Sequence, residues 1–291
     1  MANRNTLCNI TPLFKEQVYV IRSDSPNYDT SWIIPDTEYY VFAKRTTRYC
    51  VVIPIINENG NIISQLGRMR DLGIPEIADI IIADGGSSDG STDHEKLISS
   101  GIRALLVMKS AGGQSAQLRG GYAFCLAEGY EGIITVDGNN KDSIESIPLF
   151  ITALDNGADY AQGSRFITGG AGINTPLFRT LAIRLIHAPL VSLSARHWFT
   201  DTTNGFRAYS RRYLLHLDVQ PFRDIFHTYE LNFYLSARAT RLGLSVTEIP
   251  VLRRYPKGPA PTKISLIKGN LLFLKNTLLL VFGCFNPVVD R

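Results

Sequence analysis

Three short segments of this sequence carry side chains that could bind a ligand or a metal ion. They are Asp84-Gly85-Gly86-Ser87, Asp137-Gly138-Asn139 and Asp201-Thr202-Thr203-Asn204-Gly205-Phe206-Arg207. Asp84 and Asp137 each follow an apolar run typical of a buried strand, so each carboxylate stands where a strand ends. The carboxyl ends of strands in an open α/β sheet are where ligands bind. These positions therefore indicate a ligand site.

The first two segments have the chemistry of a site for a nucleotide and its phosphates. A carboxylate at the end of a buried strand is costly without donors or a ligand, and Asp84 can accept from a base or ribose. Asp137, with a neutral oxygen from Asn139, can hold Mg²⁺ or Mn²⁺ on a diphosphate, because these cations prefer oxygen ligands. This pattern suggests a nucleotide-sugar site. The alternatives are a simple turn at Asp84 and a helix cap at Asp137.

The elements that position these segments alternate between strands and helices. Apolar runs predict strands at 49–53, 77–83, 103–108, 132–136 and 159–162. Helical spacing predicts helices at 61–72, 114–128 and 144–156, and a further helix that follows the Asp84 loop and ends at residue 97. This alternation predicts an α/β fold with a mostly parallel sheet and helices on both faces. The loops after the strands then share one edge. They would bring together Asn57, Glu58, Asp84, Asp89 and Asp137.

The second half of the sequence is less regular. It predicts a glycine-rich loop at 169–172, helices at 177–194 and 229–242, a strand at 244–250, and a loop at 201–207. Arg165 follows the predicted strand at 159–162, and a guanidinium group suits phosphate because its donors are forked. Four further arginines are interpreted as parts of a solvated face: Arg179, Arg184, Arg253 and Arg254.

The two ends of the chain differ from its centre. Residues 1–47 mix aromatic and polar residues with prolines and are predicted to be an N-terminal extension with one or two short strands. Residues 48–255 form the predicted main domain, and residues 256–291 a basic loop and a C-terminal amphipathic helix. Lysines beside this apolar helix favour an interfacial position on an anionic membrane. A core or dimer helix is the alternative.

Composition argues against several classes of protein. The chain has 291 residues and a formal charge of +4, without a basic and aromatic block typical of nucleic-acid binding. Its four cysteines are scattered without metal-ligand spacing, and residues 1–9 lack the features of a signal peptide. We therefore expect a cytoplasmic protein. The five histidines form no recognisable nucleophile motif, which argues against a hydrolase triad.

Together these motifs resemble the family 2 glycosyltransferases with a GT-A (Rossmann-like) fold, in particular the branch that transfers sugars to polyprenyl phosphates. The resemblance runs from about Tyr49 to Lys263. It implies that the nucleotide is contacted by Pro54, Asn57, Glu58, Asp84 and Asp89, and that a divalent cation binds Asp137 and Asn139. It also implies that Arg165 faces the acceptor phosphate and that Thr262 and Lys263 form an acceptor loop. The catalytic positions near the reacting sugar would be Asp137, Asp201 and Glu230.

The sequence departs from the family pattern at several positions. Gly85 replaces a frequent second Asp, Asn139 carries one charge less than the usual metal-binding Asp, and Lys141 stands where a further metal ligand is common. A lysine there would repel a cation or replace part of its charge on the diphosphate. We therefore expect metal dependence with a weaker affinity than two aspartates would provide.

The expected activity is an inverting sugar transfer from a UDP- or GDP-linked donor to a membrane-associated acceptor, in first place a polyprenyl phosphate. A phosphate acceptor is already ionised, whereas a hydroxyl acceptor would need Asp201 or Glu230 as a base. Transfer to a sugar hydroxyl in surface polysaccharide synthesis is one alternative, and a nucleotide-binding protein without transfer activity is another. The expected location is peripheral, at the cytoplasmic face of the membrane, with a homodimer as a further hypothesis.

Overall fold

A computed structural model describes residues 17–19, 29–110, 112–257 and 268–288. The predicted acceptor loop at Thr262 and Lys263 lies outside these residues. The strands are β1 (Gln17–Tyr19), β2 (Thr37–Val41), β3 (Tyr49–Ile55), β4 (Asp79–Asp84), β5 (Ala104–Met108), β6 (Gly132–Thr135), β7 (Tyr160–Ser164), β8 (Ala171–Ile173), β9 (Arg207–Ser210), β10 (Val246–Pro250) and β11 (Leu252–Arg254). The helices are α1 (Asn59–Asp71), α2 (Ile74–Ile77), α3 (His94–Ser99), α4 (Gln114–Ala127), α5 (Ile147–Asp155), α6 (Leu177–Ala182), α7 (Ala188–Ala195), α8 (Arg211–Leu214), α9 (Glu230–Arg241) and α10 (Lys268–Val281). A 3₁₀ turn at Ile144–Ser146 precedes α5, and a π turn at Ile183–His187 joins α6 to α7.

Nine of these strands form one sheet, in the order β1-β2-β5-β4-β3-β6-β9-β7-β10. The neighbours β5, β4, β3 and β6 run parallel, as do β7 and β10, whereas β2 and β9 run antiparallel to their neighbours. The central strand β3 is buried along its whole length, as expected for a parallel strand covered on both faces. The predicted α/β fold with a mostly parallel sheet is confirmed.

Helices cover both faces of this sheet. Alternate residues of β3 pack into different apolar clusters: Val52 contacts the cluster that includes α4 and α9, and Val51 and Ile53 contact the cluster that includes α1 and α5. Each such fully buried side chain contributes roughly 1.5–3 kcal/mol to folding. The two clusters hold the central strands firmly, so the strand ends form a stable base for a site.

One strand, β9, was not predicted from the sequence, and its first residue, Arg207, is the last residue of the predicted loop at 201–207. β9 begins at Arg207 and runs antiparallel between β6 and β7. Its four residues are too few for a strand period to show in the sequence. Because Arg207 pairs with Thr135 and with Gln162, the residues before it lie beside the end of β6. The glycine-rich loop at 169–172 likewise contains part of β8, which pairs with β11 in a second, small sheet.

β3 continues through Pro54, although the sequence predicted that the strand ends there. The carbonyl of Val52 accepts from the N–H of Val136 (3.4 Å), so the backbone of Val52 faces β6. Pro54 faces the same side, because alternate residues of a strand point the same way. Since β6 has ended at Thr135, the missing N–H of the proline leaves no ladder hydrogen bond unmade.

Both terminal segments pack onto this sheet and its helices. β2 pairs with β5 and β1 with β2, so the short strands predicted for the N-terminal segment are present and extend the main sheet. α10 packs against α7 and α9 and buries Asn276, Thr277 and Leu280, whereas Leu271 and Phe282 are exposed. One face of α10 thus belongs to the core and another lies at the surface. The domain boundaries after residues 47 and 255 stay predictions.

Candidate functional site

Asp84 ends β4 and organises the loop that follows it. Its Oδ2 accepts hydrogen bonds from the backbone N–H groups of Gly86 (2.8 Å) and Ser87 (2.9 Å), and its Oδ1 accepts one from the Ser87 hydroxyl. The residue is buried, and these donors compensate the carboxylate for lost water. Asp84 therefore holds the loop in shape, and its contact with a nucleotide base stays a prediction.

The loop after β4 is tied to the loop after β3 through Asn57. This residue has a left-handed backbone (φ 50°), a conformation that Asn adopts more readily than most residues. Its N–H donates to the Ser87 hydroxyl (2.8 Å), and its Oδ1 accepts from the N–H of Ser88 (2.8 Å). The two loops therefore have one shared and well-bonded shape.

Glu58 and Asp89 lie at the start of α1. Glu58 donates its N–H to the Ser91 hydroxyl (2.9 Å), and Asp89 accepts from the N–H of Asn59 (2.9 Å). These are donors that a helix leaves without intrahelical partners at its first turn. The structure thus brings the residues predicted to contact the nucleotide to the ends of β3 and β4: Pro54, Asn57, Glu58, Asp84 and Asp89.

Asp137 follows the end of β6, and three other elements contact its carboxylate. Oδ1 accepts from Nε2 of Gln114 at the start of α4 (3.2 Å), and Oδ2 accepts from Nη2 of Arg253 on β11 (3.0 Å). Gly205 lies so close that a Cβ there would come within 2.4 Å of Oδ1. The side chain is nevertheless 21% exposed, so the carboxylate is accessible to a ligand.

The side-chain amide of Asn139 lies beside this carboxylate. Its Nδ2 lies 3.5 Å from Oδ2 of Asp137, and its own Oδ1 is buried without a hydrogen-bond partner. Such an oxygen is costly, and a cation would satisfy it. Asp137 and Asn139 therefore fit a divalent cation whose other ligands are diphosphate oxygens and water. Among the described residues, no group of three His, Cys, Asp or Glu side chains could hold a metal ion.

Arg253 is a residue of the site that the sequence analysis missed. It is buried and bridges the carboxylates of Asp137 and Asp142, so its interpretation as part of a solvated face is wrong. Burial raises the pKa of Asp142, and the charge of Arg253 opposes that rise. On β11 the neighbours Leu252 and Arg254 are exposed. The buried position on this strand is thus an arginine and an exposed one is a leucine, so no apolar pattern in the sequence marks Arg253.

Lys141 lies close to the same cluster of charges. Its Nζ is 5.6 Å from the centroid of the Tyr255 ring, within the range of a cation–π interaction. Burial lowers the pKa of the Lys141 ammonium, and the charge of Arg253 lowers it further. The charges of Glu58 and Asp137 act in the opposite direction. The Arg253 guanidinium group lies over the same Tyr255 ring, at 5.7 Å from its centroid, so Lys141 and Arg253 share this neighbour.

Arg165 and Asp201 form a buried ion pair. Arg165 donates from Nε to Oδ2 (2.7 Å) and from Nη2 to Oδ1 (2.9 Å), the forked arrangement in which Arg binds carboxylates. Burial by itself would raise the pKa of Asp201, but the guanidinium group holds it below its usual value. The two residues bind each other here, and their roles at the acceptor and in proton transfer stay predictions.

The loop that precedes β9 is anchored by Arg207 and His187. Arg207 is buried and donates to the carbonyls of Thr202 (2.9 Å), Asn204 (2.9 Å) and Asn232 on α9. Nδ1 of His187 lies 2.7 Å from the Thr202 hydroxyl. Burial lowers the pKa of His187 to about 4, and the charge of Arg207 contributes to that shift. The loop is thus held by the buried guanidinium group of Arg207 and by the neutral imidazole of His187.

Glu230 begins α9 and binds the turn before it. Its Oε2 accepts from the N–H groups of Thr228 (2.6 Å) and His227 (3.2 Å). Its Oε1 accepts from the Thr228 hydroxyl (2.6 Å) and from Nδ2 of Asn276 on α10 (3.2 Å). The residue is buried. Glu230 therefore connects the C-terminal helix to the domain, and its role as a base stays a prediction.

An apolar surface lies on the helix Leu177–Ala195, which comprises α6, the π turn and α7. We call it the apolar helix surface, and its exposed residues are Leu177, Phe178, Leu181, Leu185, Ile186 and Leu193. In the described part of the chain, this is the one helix long and apolar enough to cross a membrane. The helix was predicted from the sequence, but its exposed apolar surface was not. Three leucines spaced four residues apart, Leu177, Leu181 and Leu185, indicate one apolar face of this helix.

Several known proteins are similar to this chain in sequence. The sequence is 29% identical over 209 residues to the polyprenol monophosphomannose synthase of Mycolicibacterium smegmatis, covering 71% of this chain and 77% of that protein. It is 27% identical over 209 residues to the undecaprenyl-phosphate mannosyltransferase of Micrococcus luteus, covering 70% and 82%. The chain is a glycosyltransferase homologous to these enzymes. No family model matches it.

The fold of this glycosyltransferase is also that of a solved enzyme. The crystal structure of glucosyl-3-phosphoglycerate synthase from Mycobacterium tuberculosis, in complex with Mn²⁺, UDP and phosphoglyceric acid, superposes with a TM-score of 0.58 at 18% identity. The match covers 81% of this chain and 78% of that chain. At this identity the likeness shows the fold, and the expected GT-A architecture is confirmed.

Proposed function

We propose that this glycosyltransferase moves a sugar, with inversion, from a nucleoside diphosphate to a polyprenyl phosphate. The observation that carries the proposal is the accessible carboxylate of Asp137, which lies at the end of β6 beside the side-chain amide of Asn139. The names of the two relatives add the acceptor class, a polyprenyl phosphate, and a hexose such as mannose as the sugar. A homodimer stays a prediction.

The nucleoside of the donor would bind at the ends of β3 and β4. Asn57 and Asp84 give the two loops there one shape, and Glu58 and Asp89 fix the start of α1. A site with a preformed shape binds its ligand at a smaller entropic cost. Pro54 would contribute through the strand itself. Both UDP and GDP donors are compatible with this arrangement.

Asp137 and Asn139 would hold a divalent cation on the diphosphate. Such a cation, when bound, stabilises the negative charge that develops on a departing diphosphate. The protein provides one charged and one neutral oxygen for it, and Gln114 and Gly205 position the carboxylate from two sides. A larger side chain at Gly205 would displace the carboxylate, so the loop before β9 helps to place the metal ligand.

The acceptor would need no strong base. A phosphate oxygen is ionised at neutral pH. It would form a bond to the anomeric carbon while the bond from that carbon to the diphosphate breaks on the opposite face, which inverts the configuration. Arg165 remains our candidate for the acceptor phosphate and would share its donors between that phosphate and Asp201. Asp201 and Glu230 would act as bases only on a hydroxyl acceptor.

The apolar helix surface would contact the cytoplasmic face of the membrane. An exposed apolar patch of this kind marks an interaction site, and the exposed Arg184 on the same helix favours anionic lipids. Peripheral contact suits the helix better than a crossing, because Arg179 and Arg184 would be costly inside the hydrocarbon layer. The same helix leads into His187 and so to the loop before β9.

Liposome sedimentation tests this membrane contact. Changing Leu181 and Leu185 together to Glu should release the protein from anionic liposomes, because each change places a charge at the contact surface. The matched control is Leu217→Glu, at an exposed leucine of another surface. Sedimentation of the double variant to the same extent as wild type would exclude the apolar helix surface as the contact.

A radiolabelled transfer assay with polyprenyl phosphate tests the activity. We expect Asp137→Ala to lower the rate by about a hundredfold or more, the size typical for removal of a group that stabilises developing charge. Asp71→Ala, an exposed carboxylate at the end of α1, is the control and should transfer sugar like wild type. Activity of Asp137→Ala near that of wild type would refute the assignment of the cation site.

A further inference from the structure

Two positively charged side chains lie near the carboxylate of Asp137. Arg253 bonds to its Oδ2 (3.0 Å), and Nζ of Lys141 lies over the same Tyr255 ring as the Arg253 guanidinium group, at 5.6 and 5.7 Å from the ring centroid. The backbone fixes the two cations to each other, because the carbonyl of Lys141 accepts from the N–H of Arg254 (2.7 Å). The buried carboxylate of Asp142 holds Arg253 from another side. The backbone hydrogen bond and the ion pair therefore fix the positive charge in the site.

These charges change what the site attracts. Arg253 neutralises part of the charge of Asp137, and Asn139 adds none. A divalent cation on Asp137 would also be repelled by the ammonium of Lys141, since like charges at short range oppose each other. A diphosphate carries negative charge and would be attracted by the same groups. The charges of the site therefore attract a divalent cation less strongly and a diphosphate more strongly.

We infer that Lys141, supported by Arg253, binds the donor diphosphate directly and competes with the divalent cation for that role. The inference rests on the proposed function, because it assumes that a nucleoside diphosphate binds at Asp137. An ammonium group donates several hydrogen bonds and acts as a compact point charge on phosphate oxygens. Binding of the nucleoside diphosphate is then partly independent of metal, and removal of Lys141 makes it more dependent.

Calorimetric titration of the full chain with UDP and with GDP, each in EDTA and in Mn²⁺, tests the inference. Wild type should bind one of these nucleotides in EDTA. Lys141→Gln should lose about tenfold or more of that affinity, the size expected for one hydrogen bond from a charged group. In Mn²⁺ the loss should be smaller, and the variant should reach half-saturation at a lower Mn²⁺ concentration, because the repelling charge is gone.

Two further variants separate charge from structure. Lys141→Arg keeps the positive charge and should keep the binding in EDTA. Lys44→Gln removes an exposed lysine at the opposite edge of the sheet, beyond Val41 of β2, which pairs with the first residue of β5. It should bind like wild type under both conditions. If thermal melting shows that Lys141→Gln does not fold, Lys141→Met is the neutral variant to titrate.

The outcomes distinguish this inference from the proposed function. Equal affinities of wild type and Lys141→Gln in EDTA, or equal enhancement by Mn²⁺ in both, overturn the inference and leave the proposed function intact. Wild type that binds only with Mn²⁺ also overturns it. Absence of binding to either nucleotide under both conditions overturns the proposed function, and the inference with it.

Discussion

Two regions of the candidate site differ in how their polar groups are bonded: one is proposed to bind the nucleotide, and the other is proposed to hold the reacting groups. In the nucleotide region, residues 55–59 and 84–91, both carboxylate oxygens of Asp84 and of Asp89 accept hydrogen bonds from the protein. In the transfer region, residues 137–142 and 201–207, Oδ1 of Asn139 and Nδ2 of Asn204 are buried without partners. The carboxylates of the nucleotide region therefore have their hydrogen-bond partners within the protein, whereas the transfer region has buried polar atoms without such partners.

This difference indicates a division of work between the regions. The nucleotide region holds one shape, which suits a ligand that must bind in one orientation. The transfer region contains charged groups that already have partners, such as Asp137 with Arg253, and a substrate bound there as we propose would share these partners. The region that we propose to meet the reacting groups is thus the one with buried polar atoms that lack partners.

The strongest way to break the transfer region is to remove one member of its buried ion pair. Asp201→Asn leaves the charge of Arg165 buried and unpaired, which costs about 3–5 kcal/mol of unfolding free energy. Urea unfolding measures this loss. Glu145→Gln is the matched control, because its pair with Arg68 is exposed and should contribute at most about 1 kcal/mol. Equal unfolding midpoints for Asp201→Asn and wild type would contradict a structural role of the pair.

His187 makes the same region sensitive to acid. Its pKa is lowered from 6.5 to about 4 in the folded protein, so the unfolded chain takes up the proton first as the pH falls. Stability from this group is complete above pH 6.5 and is lost down to about pH 4. The loss is roughly 3 kcal/mol.

Urea unfolding between these two pH values measures the loss. His187→Asn can keep a hydrogen bond to Thr202 and should reduce the pH dependence relative to wild type. His197→Asn, at an exposed histidine, should leave it unchanged. The same pH dependence in His187→Asn and wild type would show that another group is responsible.

The smallest effect is expected in the nucleotide region, where bonding is redundant. Ser87→Ala removes one of the donors to Asp84 and leaves two backbone N–H donors in place. We expect a loss of about 1 kcal/mol in unfolding free energy. Ser88→Ala, at an exposed neighbour, should change little. A loss from Ser87→Ala as large as that from Asp201→Asn would mean that the two regions do not differ in the way described.

The positions of the site could be predicted from the sequence better than its bonds. Apolar runs followed by Asp mark the ends of β4 and β6, because a buried strand and a polar residue after it differ in composition. The loops at Asp84 and Asp137 were therefore found. The ion pair of Arg165 with Asp201 joins residues 36 positions apart, and no local pattern encodes such a partner. For the same reason Arg253 was missed.

Surfaces were harder to predict than strand ends. The sequence gives the spacing of Leu177, Leu181 and Leu185, but both a core helix and a surface helix show such spacing. Only the packing decides, and here Ile183 and Val191 are buried while the leucines are exposed. The C-terminal helix, predicted to be interfacial, packs on α7 and α9. Its contact with a membrane stays a prediction.

Pro54 lies where β3 continues beyond the end of its neighbour β6. A strand beside β3 could pair with it beyond Val52 only if the next residue on that side offered an N–H, and a proline offers none. β6 therefore separates from β3 after Thr135, and Asp137 stands beyond the last rung instead of within the ladder. The proline ring thus blocks further pairing on this side of β3, which leaves the backbone at Asp137 free of the sheet at the place where we propose that the diphosphate binds.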